Sequence, residues 1–424
     1  MSIFHNILNW LDDATYVWRQ ELKHVFRDEG VLMFCIVVPL GYPLLCSWIY
    51  NNETVHEVPV VVVDQSKSQE SRQFIRMCDA SADVKVACYA VNLDEAKSLV
   101  GRQVVKGIYY IPEDFATRLN RMEQSTISVY CDMSLMLTYK AIYQTALAVT
   151  TGMGTAIKKQ ISGNYTARDD LVSTSPLKIE EVSVFNPTGG YGSSVIPAVL
   201  MLIIQQTLAL GVGMAAGTAR ERNRYSDLVP INRCYSSVGR IITGKSLCYL
   251  MIYAVMSTYL VVVVPKVFSF LHMATWQNLL LLMIPFLLAC VFFAQTISCL
   301  VHYRENVILL MVFVSLPLLF MSGVSWPQSS IPNYWQGVSW LFPSTFGIRA
   351  YIRLNSMGAT IADVSHELIC LWTLAAFYFT TSCIVYGVEM RLSKQHAQER
   401  LEVLRKKREV RLQFKGKKNR SEAK

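Results

Sequence analysis

Long stretches without charged residues are the strongest constraint on how this chain folds. Five segments contain no Asp, Glu, Lys or Arg: 31–51, 185–218, 267–303, 306–348 and 368–388. A helix that crosses a bilayer needs roughly 20 mostly apolar residues. With a further apolar stretch after Lys245, the pattern predicts six transmembrane helices, near 31–50, 194–217, 246–265, 278–301, 306–323 and 367–388. A soluble protein with buried helices is the alternative, and so many long uncharged segments disfavour it.

The segment 51–192 has a different character, with mixed charge and short apolar strands. "VPVVVVD", "DVKVACYAV", "VKGIYYIP" and "STISVYCDMS" are typical of strands, and helical patterns separate them. The sequence therefore predicts a polytopic α-helical membrane protein with an inserted extracytoplasmic α/β domain. Cys78, Cys88 and Cys131 lie in that domain, and either one bridge between Cys78 and Cys88 or separate thiols fit the pattern.

Charge predicts the orientation of the chain. The segment 218–245 has six Lys or Arg and two acids, and the tail 391–424 has 13 Lys or Arg and four acids. Basic residues near spans collect on the cytoplasmic side. We therefore expect both segments and the N-terminus in the cytoplasm, and 51–192 and 324–366 outside. Residues 1–29 read as an amphipathic helix on the inner leaflet, and 30–50 as an anchor rather than a cleaved signal peptide.

The basic tail favours contact with lipid. "ERLEVLRKKREVRLQF" spaces leucines among basic residues, as a helix at a membrane surface does. Binding to membrane lipids is the preferred interpretation. A solvated helix with no lipid contact is the simpler alternative. A nucleic-acid arm is the disfavoured alternative, and no nucleic-acid partner is predicted.

"GRIITGKS", residues 239–246, matches the P-loop consensus letter for letter. A working P-loop joins a buried strand to a helix, whereas "VPINRCYSSV" precedes Gly239 and an apolar span follows Ser246. Asp64, the apparent magnesium partner, would lie across the bilayer. We interpret the match as chance and assign Arg240 and Lys245 to the inner edge of the third span. No catalytic, cofactor or metal site is predicted.

The polar side chains in the interior of the predicted spans are uncharged. Gln205, Gln206 and Gln295 either line a translocation path or hydrogen-bond between helices, and packing is favoured. Gly213 and Gly217 form a small-residue face for close helix packing, with a dimer interface as one setting. The lack of charged residues there argues against a proton-driven transporter.

The order of these features resembles the type-2 ABC-transporter permeases, in the exporter subclass with a large periplasmic domain after the first span. "VPVVVVDQSKSQESRQFIR", "EAKSLVGRQVVKGIYYIPEDF", "FNPTGGYGSSVIPAVL", "MSGVSWPQSSIPNYW" and "FPSTFGIRAY" carry the likeness, which covers roughly residues 10 to 390. The outer loop also has three tryptophans, so short capping helices and an ordinary aromatic belt are both open.

The resemblance implies that transport and ATP hydrolysis belong to different subunits. A separate soluble ATPase would dock on the coupling segment 218–245, through Arg220, Glu221, Arg222 and Arg224. Here Asn223 and Arg224 stand where the family usually has Gly-Thr, so the contact is specialised or degenerate. An outer gate is implied after the fifth span, formed by Ser322, Gly323, Pro327, Pro332 and Pro343.

The resemblance also implies partners and a location. We expect a permease subunit in a bacterial inner membrane, moving a lipophilic or amphiphilic substrate outward. It would pair with an identical or a different permease and could recruit a periplasmic adaptor protein. The alternative function is a receptor or assembly factor that uses the external domain to bind a protein or peptide.

Overall fold

The computed structural model describes residues 2–51, 54–121, 123–162, 190–221, 238–301 and 303–391. The chain divides into two compact units, Met1–Asn51 together with Gly189–Lys424, and Asn52–Thr188. The basic tail and most of the predicted coupling segment, including Arg222 and Arg224, lie outside the described residues.

The first unit is helical. Helix α1 (Ser2–Arg27) precedes the first of six described helices that are long and apolar enough to cross a membrane. Their bounds are Glu29–Ile49, Gly192–Glu221, Val238–Val267, Trp276–Cys299, Arg304–Met321 and Ser365–Arg391. The prediction of a polytopic helical membrane protein is confirmed at this level. We number these helices as the first to sixth spans.

The third span begins at Val238 and not near residue 246, where the apolar stretch begins. Residues 238–246 are helical although Arg240 and Lys245 lie among them. Both basic side chains pair with acidic residues of α1, at 2.8 Å for Arg240 and 3.0 Å for Lys245. Counting charges along one segment cannot show that a distant segment neutralises them, which explains the difference.

The second span is the most deeply buried of the six. Apolar side chains are distributed around most of this helix, and Leu200, Met201, Ile204 and Leu208 are each at most 1% exposed. A helix that is apolar all round belongs in a core rather than on a surface. It packs against the first, fourth and fifth spans and forms the centre of the helical unit.

The second unit alternates strands and helices. In chain order these are β1 (Val58–Asp64), α2 (Gln69–Asp79), β2 (Val84–Tyr89), α3 (Leu93–Gly101), β3 (Gly107–Ile111), α4 (Phe115–Asn120), β4 (Ser128–Cys131) and α5 (Met136–Ser162). The strand order is β2-β1-β3-β4. Strand β1 is parallel to both β2 and β3, and β4 is antiparallel to β3.

Strand β1 is central and covered on both faces. Val60 and Val62 pack with α2 and α5, while Val61 and Val63 pack with α3 on the other face. An uninterrupted valine stretch is typical of a parallel strand with helices on both sides. The sheet therefore lies between two helical layers.

The cysteines of this unit are separate thiols. Cys78 is buried on the α2 face of the sheet, whereas Cys88 packs on the α3 face. A bridge between them would have to pass through the sheet. Of the two arrangements that the sequence left open, the structure has the unbridged one.

Between the fifth and sixth spans the chain forms two short helices, α6 (Asn333–Ser339) and α7 (Pro343–Ser356). Helix α7 is buried from Pro343 to Ile348. A Cβ on Gly347 would lie 2.4 Å from the ring of Phe286 in the fourth span, so a glycine is required for this approach. Helix α7 is thus packed into the helical unit, whereas the three tryptophans that precede it, Trp326, Trp335 and Trp340, are 57%, 48% and 53% exposed.

A candidate coupling site at the charged end of the helical unit

One end of the helical unit concentrates its ion pairs. We call the charged end the set of Asp13, Glu21, Asp28, Arg220, Arg240, Lys245, Arg304 and Glu389, which form four ion pairs. Each pair joins segments that are far apart in the chain. Charged residues next to apolar spans need such partners, because an unpaired charge in a poorly hydrated setting is costly.

Two ion pairs join helix α1 to the start of the third span. Arg240 Nη1 lies 2.8 Å from Asp13 Oδ2, and Lys245 Nζ lies 3.0 Å from Glu21 Oε2. The Tyr249 hydroxyl donates to Glu21 Oε1 at 3.0 Å. The side chains of Lys245 and Glu21 are 7% and 8% exposed, so the pair is buried. Two pairs at separate points hold the two helices in one orientation.

Gly244 allows the two helices to approach closely. A Cβ at this position would lie 2.7 Å from the Ala14 carbonyl oxygen and 2.7 Å from Val17 Cβ. The P-loop-like "GKS" is therefore a helix-packing element whose lysine binds a carboxylate of α1. A P-loop needs a loop whose N–H groups face a phosphate, but these residues are helical and their lysine is already paired.

Arg304 joins the first, second and fifth spans. Its Nη2 lies 3.3 Å from Asp28 Oδ1, and the same carboxylate oxygen accepts from the N–H groups of Gly30 and Val31, which caps the first span. Its backbone N–H donates to Glu221 Oε1 at 2.7 Å. A side chain on Gly30 would collide with the guanidinium of Arg304, so the glycine makes room for it.

Arg220 joins the second, fourth and sixth spans. Its Nη1 donates to the carbonyl oxygens of Ser298, at 2.6 Å, and Val301. Its Nη2 lies 2.8 Å from Glu389 Oε1 near the end of the sixth span. The carbonyls at the end of the fourth span have no partner further along their own helix, so a cation there satisfies them.

A cavity of about 520 Å³ lies among these groups. Glu21, Asp28, Lys245 and Arg304 contribute to its walls, and Ala215, Ala216 and Ala219 of the second span also line it. The cavity is amphipathic, since charged groups surround an alanine surface. The charged end therefore combines rigid cross-links with room for a polar group.

A family profile described as "ABC-2 family transporter protein" matches residues 30–384 of this chain. The chain belongs to the ABC-2 transporter family. The match includes nearly all of the first span, the α/β unit, the second to fifth spans and the sixth span as far as residue 384, while α1 precedes it. Members are membrane components of ABC transporters, normally not catalytic themselves, that work with an ABC ATPase. No curated protein matches the chain.

Of the four residues predicted to dock the ATPase, the structure describes two. Arg220 is 8% exposed and its guanidinium is occupied within the ABC-2 permease, while Glu221 is exposed and caps the fifth span. Sequence reasoning missed Asp13, Glu21 and Asp28. Their signal was present, because residues 1–29 have five acids against three Lys or Arg and so complement a basic segment at the start of the third span.

The glutamines predicted inside the spans differ in their surroundings. Gln205 Oε1 accepts from the Ser344 N–H at 2.6 Å and thereby holds the start of α7. Gln295 Nε2 donates to Ser246 Oγ at 3.0 Å, which links the fourth span to the third. Gln206 is 9% exposed, and neither of its amide atoms has a partner among the described residues.

The predicted small-residue face packs inside the permease. A Cβ on Gly213 would lie 2.6 Å from Val307, and one on Gly217 would lie 2.9 Å from the backbone of Arg304. Both glycines therefore allow the second span to approach the fifth span of the same chain. In this structure the face serves intramolecular packing.

The predicted gate residues surround the turn after the fifth span. Ser322 is buried, and its carbonyl oxygen accepts from Arg349 Nε at 3.2 Å. Gly323 has φ +92°, which a residue with a side chain rarely adopts. Pro327 and Pro332 precede short helical turns, and Pro343 is the buried first residue of α7.

Proposed function

We propose that this chain is the membrane subunit of an ATP-driven exporter, with its charged end in the cytoplasm and its α/β unit outside. The charged end carries the proposal, because its ion pairs join α1 to the third span, and its ion pairs and hydrogen bonds join the other five spans to one another. A partner ATPase pressing on this end would move these helices together. Basic residues near the spans support the orientation.

The proposed ATPase-docking surface would have exposed residues that contact the ATPase and a buried residue that supports them. Arg222 and Arg224, with Glu221, would face the ATPase. Arg220 would act behind them by transmitting displacement from the second span to the fourth and sixth. A buried, multiply bonded guanidinium is suited to such a bracing role, since moving it alone would leave several polar groups unpaired.

An amphiphilic or lipophilic substrate fits the cavities of the helical unit. The charged end holds a cavity that can receive a polar group. A groove of about 400 Å³ between the third and fourth spans is lined almost wholly by apolar side chains, including Leu250, Val261, Leu279 and Met283. Pockets of this size hold drug-sized molecules. Pairing with a second permease, identical or different, is part of the proposal.

Co-purification tests the proposal. The tagged full-length chain, extracted from its native membranes, is expected to retain a soluble ABC ATPase identified by mass spectrometry. Charge reversal in R222E/R224E should reduce the retained ATPase at least fivefold, because the docking surface loses its complementary charge. The matched control, R405E/K407E, reverses two charges in the tail and should leave retention within twofold.

Two outcomes would contradict the proposal. A wild-type chain that retains no ABC ATPase, while a tagged unrelated permease from the same membranes does, would remove the transport function. Equal loss in both double variants would mean that general basic charge, and not this segment, makes the contact.

A further inference from the structure

The α/β unit has a crevice at the carboxyl edge of its sheet. The ends of the parallel strands are level there, since Asp64 is in register with Ile111 and Val62 with Tyr89. Helix α2 follows β1 and helix α3 follows β2, and the two helices cover opposite faces. Neighbouring strands whose connections diverge in this way open a crevice where α/β proteins bind ligands.

The crevice has a volume of about 1240 Å³. Each of the three parallel strands contributes the residues that follow it, and α2 forms one wall. The turn after β1 is held in place, because Asp64 accepts from the Lys67 N–H at 3.0 Å and from the Ser71 hydroxyl at 2.8 Å. The Tyr110 hydroxyl donates to Gln65 Oε1 at 2.9 Å and fixes the next side chain.

Three cations line the α2 side of the crevice: Lys67, Arg72 and Arg76. No carboxylate in the described part of the chain forms an ion pair with any of them. Arg72 Nη2 donates to the Lys67 carbonyl at 3.1 Å, and Arg76 Nε donates to the Arg72 carbonyl at 3.3 Å. These bonds orient both guanidinium groups and leave N–H donors available for a ligand.

The opposite wall is apolar and open. Tyr89 is 66% exposed and Val91 is 86% exposed. Of the two acids in the lining, Asp64 is already hydrogen-bonded, while Glu113 adds one negative charge. The five charged side chains sum to one positive charge, which favours a monoanion over a polyphosphate. Arginine pairs well with a carboxylate, and tyrosine offers a flat apolar surface.

We propose that this crevice binds an organic monocarboxylate whose aromatic or aliphatic body lies against Tyr89 and Val91 while its carboxylate pairs with Arg72 and Arg76. The site does not depend on the transport function proposed above, because it lies within the α/β unit.

Equilibrium dialysis of the full-length protein in nanodiscs tests this site, with 1-naphthoate as the probe and empty nanodiscs as the blank. The variant R72Q/R76Q should weaken 1-naphthoate binding at least fivefold. The matched control R102Q/R121Q removes two exposed arginines of the same unit that do not line the crevice. It should change the affinity less than twofold.

Tyr89→Ala should weaken 1-naphthoate binding about threefold without removing a charge, which separates the apolar wall from the cations. The cation 1-naphthylmethylammonium has the same ring, and R72Q/R76Q should not weaken its binding. Absence of measurable 1-naphthoate binding to the wild type would overturn the proposal. So would an equal loss in R72Q/R76Q and R102Q/R121Q, because the binding would then follow net charge alone.

Discussion

The two units of this protein use ion pairs differently. In the helical unit the Glu21–Lys245 pair is buried and joins α1 to the third span. In the α/β unit, Lys85–Glu57 is 61% and 70% exposed, and Arg118–Asp114 is a local pair within one turn. Exposed pairs are worth about 0–1 kcal/mol, whereas removing one partner of a buried pair costs about 3–5 kcal/mol. Buried ion pairs stabilise the packing of the helical unit, whereas the charged side chains of the α/β unit mainly interact with solvent.

The largest effect is expected from breaking the buried pair. Glu21→Gln leaves the Lys245 ammonium buried with a neutral partner and should lower stability by about 3 kcal/mol or more. Glu57→Gln removes one partner of an exposed pair and should cost less than about 1 kcal/mol. Thermal unfolding of the detergent-purified chain measures both. Equal shifts in the two variants would show that the two regions do not differ in this respect.

The two units also differ at glycines within helices, because one such glycine allows close helix packing and the other does not. Gly244→Ala places a methyl group against the Ala14 carbonyl and Val17, and should destabilise the α1 contact by about 1–3 kcal/mol. Gly152→Ala, inside α5, meets no atom within 4 Å and should stabilise that helix by about 0.5–1 kcal/mol. Limited proteolysis of α1 and thermal unfolding report these changes. A neutral Gly244→Ala would mean that α1 is not packed as described.

Thiol ionisation shows how the α/β unit responds to pH. Burial, with a smaller contribution from the Asp79 carboxylate, raises the pKa of Cys78 to about 12, and burial raises the pKa of Cys131 to about 11. Both thiols ionise earlier in the unfolded chain, so their contribution to stability falls as the pH rises above 9. At pH 8 the thiolate fraction of Cys131 should exceed that of Cys78 about tenfold.

Alkylation kinetics between pH 7 and 10, resolved by peptide mass spectrometry, check this ordering. Both rates should rise about tenfold per pH unit, and Cys131 should react at least tenfold faster than Cys78. Faster reaction at Cys78 would contradict its place in the core beneath α2. The Cys78→Ser variant identifies its peptide and serves as the control.

Helix caps provide a further comparison between the two units. Ser68 Oγ accepts from the Ser71 N–H at 3.1 Å at the start of α2, so Ser68→Ala should cost about 1 kcal/mol. Asp28→Asn at the start of the first span keeps a good cap but loses the charge that faces Arg304, so it separates capping from pairing. If Asp28→Asn costs less than Ser68→Ala, the Arg304 contact is not a strong link.

Local pattern accounts for much of the architecture. Long apolar segments correspond to the six candidate spans, and the valine-rich β1 segment is a strand covered on both faces. The sequence predicts the start of the third span eight residues too late, because Arg240 and Lys245 appear as unpaired charges when only neighbouring residues are considered. The sequence predicts Arg220 as an ATPase-docking residue, and nothing near it in sequence reveals its intramolecular partner Glu389.

The sequence by itself determined the membrane class, the number of long apolar helices and the alternating strands, because hydrophobic length and periodicity are local properties. Only the tertiary structure decided which charges meet. It placed Glu21 beside Lys245, Asp28 beside Arg304, and Cys78 and Cys88 on opposite faces of a sheet. Those contacts join residues that are distant along the chain. The energy of burying such groups depends on the partner that folding supplies, and no single segment encodes it.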